Sequence, residues 1–245
     1  MPLLYLSPST QEYNPYAGGG NEEYYMNLLA DAMVPYLRSS GIRFTRNDPN
    51  QTAAWAIQQS NLGNYDLHLA LHSNAAPEGQ AGTRRGPEIY YYPGDPWGQA
   101  AAEFIGENLR DIYPQPWLVR VGPNTTLGEL RLTRAPSAFI ELAYHDNLED
   151  ANWIRQNIGQ IAANIVLSLT QYFGIPFIPA QPARTGTVVL QSGNLNIRRF
   201  PSTQAAIIGR IPNGSAVTVL GEWEGWYVVD FNGTVGYSSA QYIRV

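Results

Sequence analysis

The 245-residue sequence has no cysteine and no lysine. The first absence excludes disulfides and thiolate metal sites together. The second means that all fifteen cationic side chains are arginine; set against twenty acidic ones they leave a formal net charge of -5. That balance argues against nucleic acid as a partner, because phosphate binding needs a basic face that releases counterions. Histidine is scarce as well, at three residues. No apolar run reaches transmembrane length. Residues Met1 to Ser9 lack both the length and the charged start of a secretory signal, so export would need a leader already removed or another route such as lysis. What is present describes a folded protein: 44% apolar and 14% charged residues over a length that suits one medium domain and one small one. A monomer is expected.

Along the first two thirds, short apolar runs alternate with helical patterns. Leu3 to Leu6 reads as a first buried strand, ending at Ser7-Pro8-Ser9. After a loop through Gly18-Gly19-Gly20, Asn21 is a candidate N-cap for a helix from Glu22 to Arg38, with Tyr25, Leu28, Leu29, Ala32, Met33 and Leu37 at helical spacing. Strands are expected at Ile42–Thr45, Tyr65–His72, Ile89–Tyr92 and Ala138–Tyr144, and helices at Thr52–Asn61, Gln99–Ile112 and Asn152–Phe173. This alternation implies a mostly parallel twisted sheet with helices on both faces, whose sites gather beyond the carboxyl ends of its strands. A linker with three prolines, 175–185, then separates residues 1–174 from a β-rich segment, 186–245. There, short strands are split by Gly and Asn turns, with Asn232-Gly233 the strongest hairpin signal, which points to a small barrel.

Three polar features stand out in the larger segment. His72 ends an apolar strand just before Ser73-Asn74-Ala75, where a metal ligand or a satisfied structural histidine would both fit. Glu22-Glu23 opens a helix, where the macrodipole stabilises a carboxylate and where one could also reach a metal. Glu141 interrupts the apolar run Ala138 to Tyr144; an ionised carboxylate buried in a strand costs roughly several kcal/mol unless it is paired or metal-linked.

Taken together, residues 1 to about 174 resemble the zinc-dependent N-acetylmuramoyl-L-alanine amidases. His72-Ser73-Asn74-Ala75 is similar to that family's Ile-His-Ala-Asn-Ala strand end. Pro136-Ser137-Ala138-Phe139-Ile140-Glu141-Leu142-Ala143-Tyr144-His145-Asp146-Asn147 is similar to its Pro-Ala-Val-Leu-Val-Glu segment, and Glu23 before Asn27-Leu28 is similar to its helix carboxylate. The resemblance implies that Glu23 and His72 bind Zn2+ and that Glu141 is the catalytic carboxylate. The family's opening Asp-Pro-Gly-His is replaced by Ser7-Pro8-Ser9-Thr10, with Gln11 next. Three outcomes follow: Gln11 supplies a third ligand through its amide oxygen, His145 swings in, or the metal has been lost. His68, about 13 Å back along the strand from His72, reads as a core or supporting residue. Asn74 and His145 are further candidates for contact with substrate or metal; Glu129 reads as a surface carboxylate or a substrate contact, and Arg84-Arg85 as a solvated pair or a peptide-carboxylate contact.

The last sixty residues resemble the bacterial Src-homology-3-like domain through Leu195–Ser202, Ile208–Gly214, Gly225–Val229 and Gly233–Tyr237. Such domains imply wall targeting, with Trp223, Trp226, Tyr227 and Tyr237 divided between core and surface. The expected function is a peptidoglycan hydrolase, extracellular or in the cell wall, that cleaves the bond between N-acetylmuramic acid and L-alanine with help from zinc. The alternative is a catalytically silent peptidoglycan-binding protein that keeps the amidase fold.

Overall fold

The computed structural model describes all 245 residues. They form two compact units: Leu3–Met33 with Phe44–Tyr172, and Phe173–Val245 together with Met1–Pro2 and Val34–Arg43.

The first unit is built on β1 (Leu3–Pro8), β2 (Arg43–Arg46), β3 (Leu67–Asn74), β4 (Glu88–Tyr91), β5 (Arg120–Pro123) and β6 (Ser137–Tyr144), in the order β2-β1-β3-β6-β4-β5. Its helices are α1 (Glu22–Ser39), of which residues from Val34 on belong to the second unit, α2 (Ala53–Leu62), α3 (Pro96–Ile112), α4 (Gly128–Arg131) and α5 (Leu148–Phe173). The pairs β1/β3, β3/β6 and β4/β5 are parallel, but β4 runs antiparallel to β6. The sheet is therefore mixed. Strand β3 is buried from Leu67 to Ser73 without alternation, the pattern of a strand covered on both faces. Leu67, Leu69 and Leu71 are fully buried, each contributing about 1.5–3 kcal/mol.

Two caps set where helices begin. Asn21 Oδ1 accepts from Tyr24 N–H at 2.8 Å and starts α1 where its sequence signal lies. Asn147 Oδ1 accepts from the N–H groups of Glu149 and Asp150, so α5 begins at Leu148 rather than at Asn152. The inner face of α1 carries Met26, Leu29, Ala30, Met33 and Leu37, while Leu28 is exposed. This face is rotated from the expected stripe, and it decides which glutamate points inward.

The second unit holds β7 (Arg184–Val188), β8 (Asn194–Arg198), β9 (Ile207–Pro212), β10 (Ala216–Trp223), β11 (Trp226–Phe231), β12 (Thr234–Ser239) and β13 (Ile243–Arg244), in the order β13-β7-β10-β11-β12-β8-β9. All six pairings along that order are antiparallel. Asn232 and Gly233, with φ of 51° and 80°, form the tight turn between β11 and β12, a conformation that Asn and Gly tolerate best. Val188, Leu195, Ile197, Ile211, Val217, Val219, Val229 and Ile243 make the core. Tyr237 is fully buried and packs with Val228 and Ile178, so Ile178, from the proline-rich segment, is part of a core rather than of a free tether.

Candidate active site

The site grows from the carboxyl end of β3. His72 is 5% exposed and its ring stacks on Phe139 of β6, with centroids 4.3 Å apart and planes 13° from parallel. Phe139 thereby fixes the plane of the imidazole. Both ring nitrogens meet carboxylates: Nδ1 lies 2.9 Å from Glu22 Oε1, and Nε2 lies 3.0 Å from Glu129 Oε1. Gln11 Nε2 is 3.2 Å from the same Nδ1, and Asn14 Nδ2 donates to both Glu22 Oε2 (2.6 Å) and Gln11 Oε1 (3.1 Å).

The carboxylate on His72 is Glu22, not Glu23. Glu22 lies one turn before Met26 and shares the inner face of α1; it is 1% exposed. Glu23, about 100° further round the helix, faces the cleft wall, where Asn27 Nδ2 lies 3.4 Å from its Oε1. Glu129 is likewise no surface residue: it is 4% exposed, carried on the four-residue helix α4, and its Oε2 lies 2.8 Å from His68 Nε2. His68 Nδ1 lies 2.9 Å from Ser60 Oγ, so Ser60, His68, Glu129, His72 and Glu22 form one buried polar chain.

Electrostatics follow from this chain. Burial alone would lower the pKa of His72, but hydrogen bonds to Glu129 and Glu22 outweigh it and raise it to about 10. Burial would raise Glu129, yet His68 and His72 hold it well below the usual carboxylate range. Glu22 is lowered too, against burial, chiefly by its bond to His72.

Glu141 behaves in the opposite way. In register it lies beside His72 of β3 on one side and Glu88 of β4 on the other. Its Oε2 is buried and has no hydrogen-bond partner. Burial pushes its pKa up to about 8; the charge on His72 pulls it back, while Glu22 and Glu88 add to the rise. Glu88 itself is a hub, accepting from Asn74 Nδ2 (3.1 Å), Tyr90 OH (2.7 Å), Tyr144 OH (3.2 Å) and Arg120 Nη1 (2.9 Å). Asn74 therefore serves the neighbouring cluster rather than His72.

His145 does not swing in beside His72. Its Nδ1 lies 2.8 Å from Ser73 O and 3.1 Å from Ser73 Oγ, and its ring stacks on Tyr16. Arg85 is anchored on buried Asp150 and paired with Glu149, which makes it a structural residue. A cleft of about 570 Å³ opens onto this centre, lined in part by Thr10, Gln11, Glu23, Asn47, His72 and Glu129.

No group of three or more histidine and carboxylate side chains is arranged to hold a metal ion. The reason is geometric: Glu22 and Glu129 approach opposite nitrogens of one ring and cannot converge. Two donor atoms do converge, the imidazole Nδ1 of His72 and the carboxylate Oε1 of Glu22, with the Gln11 amide beside them, its Nε2 toward Nδ1 and its Oε1 turned to Asn14. When the ring carries its one proton on Nε2 and donates it in a hydrogen bond to Glu129, the Nδ1 lone pair faces the Glu22 carboxylate across 2.9 Å. A cation in that gap, proton or metal, relieves the repulsion. To that extent the donor set fits a zinc ion once the Gln11 amide turns its oxygen from Asn14 to the gap.

Comparisons with known proteins agree with this architecture. The family model described as N-acetylmuramoyl-L-alanine amidase matches residues 10–171, and the one described as bacterial SH3 domain matches residues 193–244. A Bacillus subtilis (strain 168) protein designated an N-acetylmuramoyl-L-alanine amidase, YrvJ, is 24% identical over 95 residues, 39% of this chain and 18% of its own length. The match thus spans under a fifth of that relative. Among solved structures, the amidase AmiC2 of Nostoc punctiforme has a TM-score of 0.62 at 18% identity, over 71% of this chain and 97% of that one. Cwp6 from Clostridium difficile has a TM-score of 0.62 at 23% identity, over 70% and 29%. The catalytic domain of CwlV from Bacillus (Paenibacillus) polymyxa has a TM-score of 0.62 at 12% identity, over 72% and 100%. At these identities the structures are similar in fold.

Proposed function

The chain belongs to the N-acetylmuramoyl-L-alanine amidase family, and on that premise we propose that it hydrolyses the amide between N-acetylmuramic acid and L-alanine in peptidoglycan. The observation that carries the reading is Glu141: a half-buried residue paired in register with His72, whose Oε2 is buried and has no hydrogen-bond partner. A carboxyl with a pKa of about 8 can take a proton from water and return it to the leaving alanine nitrogen near neutral pH. The free oxygen is the atom that would hold the proton between those steps. His72 and Glu22 mark the end of the cleft at which the scissile carbonyl would be oriented.

Zinc is the cation we assign to the gap beside His72 Nδ1. Glu22, His72 and the carbonyl oxygen of Gln11 would hold it, in place of the set Glu23, His72 and Gln11 drawn from the resemblance. When bound, zinc supplies Lewis acidity toward the amide carbonyl and the attacking water. The seven-stranded β unit would retain the protein on the wall, which places its action outside the cell or in the wall itself. Its aromatic residues do not all serve that end, because Tyr237 is core.

A second reading is favoured by one observation, the neutral amide of Gln11 where a third charged ligand would sit: a wall-binding protein without turnover. Incubating purified wall with the protein and added zinc separates the two. Release of stem peptides with a free L-alanine amino terminus, abolished by Glu141→Gln, supports the amidase; bound protein with no released peptide supports the silent binder.

A further inference from the structure

The buried half of the polar chain does nothing in the chemistry above. Ser60, His68 and Glu129 are 2%, 0% and 4% exposed, and lie behind His72 on the Nε2 side. A carboxylate bonded to two histidines in such a place is expensive: each desolvated ion costs roughly several kcal/mol, and an apolar side chain of similar volume would often fill the space at no loss. Packing does not call for the carboxylate either, since Phe139 already holds the plane of the His72 ring. What Phe139 cannot do is choose the ring's sense. A half-turn about the Cβ–Cγ bond keeps the ring in the same plane but carries Nδ1 away from Glu22 and Gln11. That half-turn also breaks the bond from Nε2 to Glu129.

We propose that Glu129, itself held by His68 and Ser60, is the positioning residue of His72: it accepts the Nε2 proton, fixes the sense of the ring, and so presents a bare Nδ1 to the gap shared with Glu22 and Gln11. The role is that of a carboxylate behind a metal-bound imidazole. It rests on the zinc reading of the site.

The test uses the full chain. Zinc is titrated against a competing chelator for wild type and for Glu129→Gln, with the melting temperature of each measured alongside. The tautomer of His72 is read from the long-range proton–nitrogen spectrum of the zinc-loaded wild type. The expected results are an affinity loss of about 10- to 100-fold in Glu129→Gln and a wild-type His72 protonated at Nε2. Equal zinc affinity in a folded Glu129→Gln, or a wild-type His72 protonated at Nδ1, overturns the positioning role alone. A wild type that takes up no zinc overturns the metal reading itself, and this role with it. Should Glu129→Gln fail to fold, the wild-type tautomer decides.

Discussion

The two sides of the His72 ring differ in kind. On the Nε2 side, Ser60 and His68 are sealed in, and Glu129, bonded to both histidines, shows only an edge to the cleft. On the Nδ1 side, Glu22 is buried, but Gln11 and Asn14 are surface groups and the cleft opens beside them. One side holds the ring and the other opens to the cleft. The same charge is therefore worth different amounts on the two sides. The Glu129 carboxylate, 4% exposed, has little water to replace a lost partner, whereas the exposed amide of Gln11 does.

This contrast can be broken in several ways. The largest expected effect is on turnover: Glu141→Gln should lower wall hydrolysis by about 10²- to 10⁴-fold while zinc content and retention on the wall stay as in wild type, measured by peptide release and by sedimentation with wall. Next comes stability. Glu129→Ala strands two buried histidines and should cost about 3–5 kcal/mol in a denaturant titration. Gln11→Ala, on the open side, should cost less than about 1 kcal/mol; equal losses would erase the distinction between the sides. In zinc affinity, Gln11→His should gain on the order of tenfold, about 1.4 kcal/mol, because imidazole is a better zinc ligand than an amide. Glu22→Gln should lose affinity, and Glu23→Gln should lose less; the reverse order in a chelator competition would restore Glu23 as the ligand.

The smallest effect is a pH dependence of the metal-free protein. His72, raised from 6.5 to about 10, contributes stability that is full below pH 6.5 and lost as pH rises through 10. Glu141, raised from 4.5 to about 8, adds a loss as pH climbs from 4.5 to 8, because the folded state then binds the extra proton. Glu22 and Glu129, both lowered, contribute stability above pH 4.5 that disappears on acidification. Metal-free protein should thus be most stable near pH 5–6, with a melting temperature several degrees lower at pH 9. On the proposed zinc reading the metal would replace the proton at Nδ1, so saturation with it should flatten the alkaline fall. A calorimetric series with and without zinc checks both statements.

Much of this site is legible residue by residue. His72 and Glu141 announce themselves, one as the polar end of an apolar strand and the other as a charge inside one, and strand register brings them side by side. The choice between Glu22 and Glu23 is legible too: Met26, Ala30, Met33 and Leu37 continue the face of Glu22, whereas a stripe through Leu28 and Ala32 points to the wrong face. Glu129 was not legible. It sits in a helix of four residues, too short for periodicity, and only its contact with His68, 61 positions away, shows that it is internal. The antiparallel run of β4 against β6 is not legible for a similar reason, since a four-residue strand carries no mark of its direction.

By itself the sequence determined the two-part organisation, the apolar strands, the tight turn at Asn232-Gly233 and the two residues on which the proposed chemistry centres. These follow from local rules: hydrophobic period, caps and turn residues act over a few neighbours and are written in order along the chain. The tertiary structure alone decided which nitrogen of His72 faces the cleft and which is tied down. That choice depends on Gln11, Glu22, Phe139 and Glu129, drawn from four separate elements and loops. No local pattern connects them; the folded sheet brings them to one ring.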